Sequence, residues 1–251
     1  MINLKDVTLV SLDNCGDYIS KDNIRIASIS RIIPWIISNV KFGDTLFINP
    51  FNKNSHLIDN EFKGINWYNN FVFKKIPYLI KTKYYLVIQY DGFPLNFNNW
   101  NDSFLEYDYI GGGDTLQNGG FSLRNTEQMI RIIESPDEIK VGNEDHHISH
   151  YLTNETYNTS FKLKSADKET ANKFSYFLPI TNINESFGWH RGPYVSERDI
   201  FDIFSSTKLF NHQECNLLAM YLMSKFVSSW LFNENYMEYF KMEYNNEFFN
   251  F

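Results

Sequence analysis

Residues 84–92 read YYLVIQYDG. A run of aromatic and β-branched residues that stops at Asp91-Gly92 has the pattern of a strand buried on both faces and closed by a turn. Toward the N-terminus, VTLVSL over Val7–Leu12 is a second such run, closed by Asp13, Asn14 and Gly16, and Thr45–Ile48 is a third. Between them Ile24, Ala27, Ile29, Ile32, Ile33, Ile36 and Ile37 recur at mixed helical spacing. The spacing predicts a helix over 22–39 that kinks or breaks at Pro34, and 71–80 is a further helical stretch. Strands alternating with helices predict an α/β fold, a single Rossmann-type domain whose central sheet is mostly parallel and flanked by helices. Ligands of such sheets bind at the carboxyl ends of the strands, where Asp13 and Asp91 fall.

Toward the C-terminus, a short helix over 100–106 leads into YDYIGGGD, followed by NGGFSLR over Asn118–Arg124. A helix is predicted over 126–134, and another opens at Asn143-Glu144-Asp145 with Asn143 as its N-cap. Residues 160–163 suggest a strand. The segment His212–Leu231 reads as a helix apolar on most sides, carrying Leu217, Leu218, Tyr221, Leu222, Phe226, Trp230 and Leu231. We expect one domain over 1–205 and a helical extension over 206–251. The tail after that helix is acidic, so the helix fits packing on the domain, or a homodimer, better than the membrane surface.

The 251 residues carry a net charge of −7, with 43% hydrophobic and 21% charged residues, a balance that folds. The only short basic cluster is Lys74–Lys83, so no stripe for nucleic acid is visible. Cys15 and Cys215 show no CxxC spacing, which argues against a disulfide framework or a structural zinc and favours the cytoplasm. No apolar run is long enough to span a bilayer, and the run after Lys5 and Asp6 is too short for a secretion signal.

Four clusters could carry chemistry. Asp91, at a buried strand's end, can hold a divalent cation that keeps waters and substrate phosphates in its shell, or it simply makes an Asp-Gly turn. In NGGFSLR, Gly119 and Gly120 permit close backbone approach, while Asn118 and Ser122 can bond hydroxyls; the plainer alternative is a bulge entering a strand. Gly111-Gly112-Gly113 matches no phosphate-loop pattern and reads as a flexible connection. In NEDHH, acidic residues suit a helix's first turn, and a carboxylate there can also accept a proton from an attacking hydroxyl. His146 and His150 share a helix face, but neither HExxH nor a third ligand accompanies them. Finally, FGWHRG over 187–192 reads as a glycine-flanked loop in which a neutral His190 can ligate a metal and Arg191 can steady a phosphate.

In order, DVTLVSLD, LVIQYDGFPLNFNNWNDSFLEYDYIG, NGGFSLR, NED and FGWH resemble a little-characterised, glycosyltransferase-like family with the GT-A type of nucleotide-sugar-binding fold, from about Asp6 to Arg191. The resemblance implies transfer of a sugar from a nucleoside diphosphate, UDP above all, to a hydroxyl of a glycan or surface polysaccharide, with Mn2+ or Mg2+ between protein and diphosphate. It implies Asp91 and His190 as metal ligands and Asp13 near the nucleotide's base or ribose. Gln89 stands where many members carry a first aspartate. Asn118, Gly119 and Gly120 then line the donor sugar, Arg124 and Arg191 contact phosphate, Asp145 is the general base of an inverting reaction and Glu144 orients the acceptor. Two other readings are a glycosyltransferase acting on hydroxymethylated DNA bases, against which the missing basic stripe counts, and a non-catalytic carbohydrate-binding or scaffold protein, suggested by Gln89.

Overall fold

The computed structural model describes residues 1–12, 24–48, 64–113, 117–135, 143–154, 161–177, 183–191 and 196–231. They belong to two compact units, Met1–Tyr194 and Val195–Phe251. The boundary expected at 205/206 lies inside a helix of the second unit, Glu197–Thr207.

In the first unit, β1 (Ile2–Leu12) leads to α1 (Ile24–Asn39), β2 (Val40–Ile48), α2 (Gly64–Lys74), α3 (Ile76–Leu79) and β3 (Tyr84–Ile88). There follow β4 (Gly92–Pro94), β5 (Tyr109–Gly111), β6 (Ser122–Asn125), α4 (Thr126–Ile133), α5 (Glu144–Thr153), α6 (Lys168–Phe174), β7 (Ser175–Tyr176) and β8 (Gly188–His190). The expected helix over 22–39 is continuous through Pro34, which stands on the exposed side, where a missing backbone donor costs least. Ile29, Ile32 and Ile36 form its buried stripe.

The main sheet has the order β2-β1-β3-β6-β5. It is mixed, not mostly parallel as the alternation of elements suggested. β1 pairs in parallel with β2 and β3, Leu9 opposite Thr45 and Leu86. β6 pairs antiparallel with β3 and with β5, Leu123 opposite Leu86 and Ile110, so β6 alone runs against the other four. The reason is local: β5 ends at Gly111 and β6 begins opposite it at Ser122, so the chain returns directly beside the strand it has just left.

A second sheet, β4-β8-β7, sets Phe93 opposite Trp189 antiparallel and Tyr176 opposite Trp189 parallel. FGWH, read above as a loop, thus supplies a buried strand whose partners lie far away in the chain. Nor do residues 161–163 form a strand: Lys162 takes a left-handed backbone, φ 53°. Gly111 is strand and Gly112 is packed against Phe177 and Ser175, so the glycine triplet is no flexible connection there; Gly113, at φ 119°, needs its glycine.

Apolar side chains of β1, β3 and α2 to α5 form one core cluster, Val10 and Val87 among them with Val72, Met129 and Ile148. A second cluster is aromatic and joins the residues that immediately precede β6, β7 and β8. Phe121 stacks on Phe174 with ring centres 4.8 Å apart and planes 6° from parallel, and Phe187 lies 5.9 Å away. A Cβ on Gly188 would overlap the Phe121 ring, so that glycine is required by packing.

In the second unit, α7 (Glu197–Thr207) begins with a capping box between Ser196 and Asp199 and packs on α8 (His212–Leu231). Cys215, Leu218 and Leu222 are buried, whereas Leu217 and Met220 are exposed. No helix among the described residues is long and apolar enough to cross a membrane. Truncating the stacked ring, Phe121→Ala, should cost about 3–5 kcal/mol in urea-induced unfolding, because the rigid aromatic neighbours cannot collapse into the void.

Candidate functional site

At the carboxyl end of β3 the chain turns back at once. The Gln89 amide donates to the Gly92 carbonyl (2.7 Å) and the Gly92 amide to the Gln89 carbonyl (3.1 Å), with Tyr90 and Asp91 at the corner. Asp91 is therefore the turn residue that the plain reading of Asp-Gly requires. The turn also aims the chain into β4, where Gly92 lies opposite His190 and the Arg191 amide donates to the Asp91 carbonyl (2.8 Å). Asp91 and His190 are thereby neighbours, both nearly buried, at 9% and 8% exposure. Gly92 has an ordinary φ; its glycine is needed because a Cβ would overlap the His190 ring.

The glycine pair before β6 closes the other side. The Gly119 amide donates to Asp145 Oδ2 (3.2 Å), and its carbonyl accepts from Ser122 Oγ (2.9 Å) and Arg124 Nη2 (3.0 Å). The Gly120 amide donates to Asn118 Oδ1 (2.8 Å). A Cβ on Gly119 would reach Glu144 Oε1 at 2.5 Å, and one on Gly120 would overlap His190 Nε2 and crowd Gln89 Oε1 at 2.5 Å. The pair is thus wedged between the acidic helix end on one side and the histidine on the other.

Asn143, Glu144 and Asp145 open α5, as the pattern predicts. Asn143 has N-cap backbone geometry, but its side chain does not cap: Oδ1 accepts from Asn69 Nδ2 (3.1 Å) on α2. Asp145 is half-buried, and Oδ1 takes the His146 amide (2.9 Å). Glu144 turns inward to Arg124 Nη2 (3.1 Å). Arg124 is wholly buried, donates also to Ser122 Oγ (2.9 Å), and has its guanidinium carbon 5.9 Å and 5.4 Å from the Tyr85 and Tyr109 ring centres. Nε and Nη2 are engaged in the interior, Nη1 finds no partner among the described residues, and full burial leaves the side chain no surface on which to meet a phosphate. Ser122 is likewise fully buried.

Burial raises the Glu144 carboxyl above its ordinary range, against the opposing pull of Arg124. Burial also pushes the Tyr85 hydroxyl up to about 12. His190 is held below its usual value by the same cause, with Asp91 acting in the other direction, so its imidazole is neutral near pH 7. Its ring faces that of Phe177 at 6.2 Å.

Asp91 Oδ1 and His190 Nδ1 are buried and find no hydrogen-bond partner among the described residues. The two residues are backbone neighbours, and an unpaired carboxylate oxygen and an unpaired imidazole nitrogen are both groups of the kind a cation takes. No group of three or more His, Cys, Asp or Glu able to hold a metal occurs among the described residues. Gln89 is engaged elsewhere: its Nε2 donates to Tyr68 Oη (2.5 Å) and its Oε1 lies 3.4 Å from His190 Nε2.

Gln89, Asp91, Asn118, Gly119, Gly120, Glu144, Asp145, His190 and Arg191 are therefore drawn from β3, the β4 turn, the glycine pair, α5 and β8 to one edge of the unit. Asp13 lies outside the described residues. Tyr68 and Phe177 complete the arrangement; the sequence reading missed both, since an aromatic in a helix or after a short strand carries no local mark of a site.

Replacing Arg124 with alanine should cost about 3–5 kcal/mol in chemical denaturation, because it strands Glu144 as an unpaired buried carboxylate. Glu144 also sets a pH dependence. Its folded value lies above the ordinary 4.5, so the stability it contributes is complete below about that pH and is lost as pH rises through the raised value. Melting curves across this window should show a decline in the wild type that Glu144→Gln lacks.

No curated protein and no solved structure matches this chain. One family model does, over residues 52–190, a span that holds Gln89, Asp91, the glycine pair and the acidic helix end and closes on His190. That model covers more than half of the sequence, and the chain belongs to the family it describes, "Protein of unknown function (DUF5672)".

Proposed function

We propose that this protein is a metal-assisted glycosyltransferase of the GT-A type, moving a sugar from a nucleoside diphosphate, UDP foremost, to a hydroxyl of an acceptor glycan with inversion at the anomeric carbon. The observation that carries the reading is the meeting of Asp91 and His190 across the β4–β8 pairing, beside a glycine pair whose far side is held by an acidic helix end. A glycosyl transfer needs those groups together: a place for a diphosphate's charge, a polar side chain for the sugar ring, and a base.

Asp91 Oδ1 and His190 Nδ1 would hold Mn2+ or Mg2+, which when bound neutralises the charge gathering on the departing diphosphate. Arg191, half-buried and bonded through its amide to Asp91, stands on the phosphate side. Asn118, half-buried, stands on the donor-sugar side, next to the buried Gly119 and Gly120, whose missing side chains let Glu144 and His190 close in. Asp145 takes the acceptor's proton as the acceptor oxygen bonds the anomeric carbon, and the bond from that carbon to the diphosphate breaks with its electron pair leaving on the phosphate oxygen. Each Asp145 oxygen already accepts one backbone N–H, which fixes the carboxylate's orientation and leaves further lone pairs for the hydroxyl. Arg124 acts behind them, donating to the Gly119 carbonyl while paired with Glu144.

The test is release of nucleoside diphosphate from a panel of nucleotide sugars with Mn2+ and mixed glycan acceptors. At least one donor should turn over, Asp91→Asn should abolish nearly all of it, and Asp145→Asn should lower kcat by about 10²–10⁴ with donor affinity retained. An unchanged rate in Asp91→Asn removes that residue from the mechanism. Donor binding with no release by the wild type would instead make the protein a carbohydrate-binding module.

A further inference from the structure

We propose that Gln89 is a positioning residue, whose side-chain oxygen holds His190 in the Nε2–H tautomer and so leaves Nδ1 as the lone pair offered beside Asp91. The residues concerned form a chain, Tyr68 Oη to Gln89 Nε2 and Gln89 Oε1 to His190 Nε2. Such a chain can run in two directions. If Tyr68 donated to the amide oxygen, the amide nitrogen would face His190 and force a proton onto Nδ1, a buried atom with no acceptor among the described residues. The side-chain geometry opposes that direction: Gln89 Nε2 donates to the Tyr68 hydroxyl, and Gln89 Oε1, which only accepts, faces His190 Nε2 at 3.4 Å. Gln89 then presents its carbonyl to His190.

A flipped ring would set Cε1 in place of Nε2 and lose the contact with Gln89 Oε1. The Cδ2–Nε2 edge lies against Gly92 and Gly120, neither of which has space for even a methyl group, and Phe177 faces the ring. Glutamine also fits this post better than aspartate. It both donates and accepts, linking a tyrosine to a histidine, whereas a carboxylate only accepts and would add negative charge near Glu144 and Asp91. The tautomer is a property of the protein alone; only the cation at Nδ1 rests on the function proposed above.

The experiment is long-range 15N–1H NMR of the histidine side chains in the metal-free protein above the imidazole titration. His190 is picked out of the six histidines by its absence from His190→Gln. The wild type should show a protonated Nε2 and a bare Nδ1, Gln89→Glu should retain that pattern, and Gln89→Leu should lose it. Mn2+ binding followed by electron paramagnetic resonance should weaken roughly 10–100-fold in Gln89→Leu. Should Gln89→Leu not fold, Tyr68→Phe tests the same chain, since it removes the oxygen that orients the amide and should yield mixed tautomers. A wild-type Nδ1–H tautomer overturns the proposal, as does an unaltered tautomer in the folded Gln89→Leu or Tyr68→Phe variant. A measurable Mn2+ affinity that is the same in wild type and Gln89→Leu overturns it too. A wild type with the Nε2–H tautomer lost in Gln89→Leu, yet with no Mn2+ affinity, supports the assignment of Gln89 and defeats the metal-assisted transferase instead.

Discussion

The turn Gln89–Gly92 ties the main sheet to the small one, and the rest of the site depends on how tightly it does so. Its two backbone hydrogen bonds reverse the chain within four residues of β3's end, so β4 must start beside the strand edge where parallel sheets collect ligands. The pairing with β8 then brings in His190 from the far end of the family's span. Closeness is enforced sterically, because Gly92 and Gly120 approach the imidazole so nearly that no other residue type fits at either place. The glycines are therefore structural members of the site, set by shape more than by backbone freedom.

A second tier supports this one from within. Arg124 reaches the Gly119 carbonyl, Glu144 and Ser122 from β6, while Asp145 takes the Gly119 amide from α5. Both ends of the Gly119 residue are thus anchored, one by a cation and one by an anion. Charges buried this way are costly to desolvate and costlier to separate, so the loop is held by groups that cannot leave singly. The aromatic cluster around Phe121 sits next to this tier in the chain and pins the residue that follows Gly120.

Much of this was legible in the sequence, and the exceptions share a cause. β1 and β3 were plain because a doubly buried strand is a continuous apolar run, and α4 because Asn125 and the spacing of Met129 and Ile132 mark one helix face. The resemblance alone linked Asp91 with His190; the β4–β8 pairing makes their backbones neighbours, and nothing local in either stretch marks it. What stayed hidden depends on partners far off in the chain. Gly188-Trp189-His190 is three residues long, too short for a period, and becomes a strand only against β4 and β7. The reversed direction of β6 is a matter of where its entry turn sits, not of composition. The resemblance made Arg124 a phosphate contact, and nothing in NGGFSLR reveals that two tyrosines and a glutamate enclose it. The helix Glu197–Thr207 was overlooked although Ser196 and Asp199 announced its start.

The confinement of the His190 ring has a thermodynamic consequence. An imidazole held against two bare backbones and an aromatic face has already surrendered its rotational freedom when the chain folds. Whatever later binds there meets a rigid receptor, so the ordering entropy of that side chain is charged to folding and not to association. Small ligands can then be captured with little adjustment of the pocket wall, at the cost of a fold less tolerant of change around its glycines.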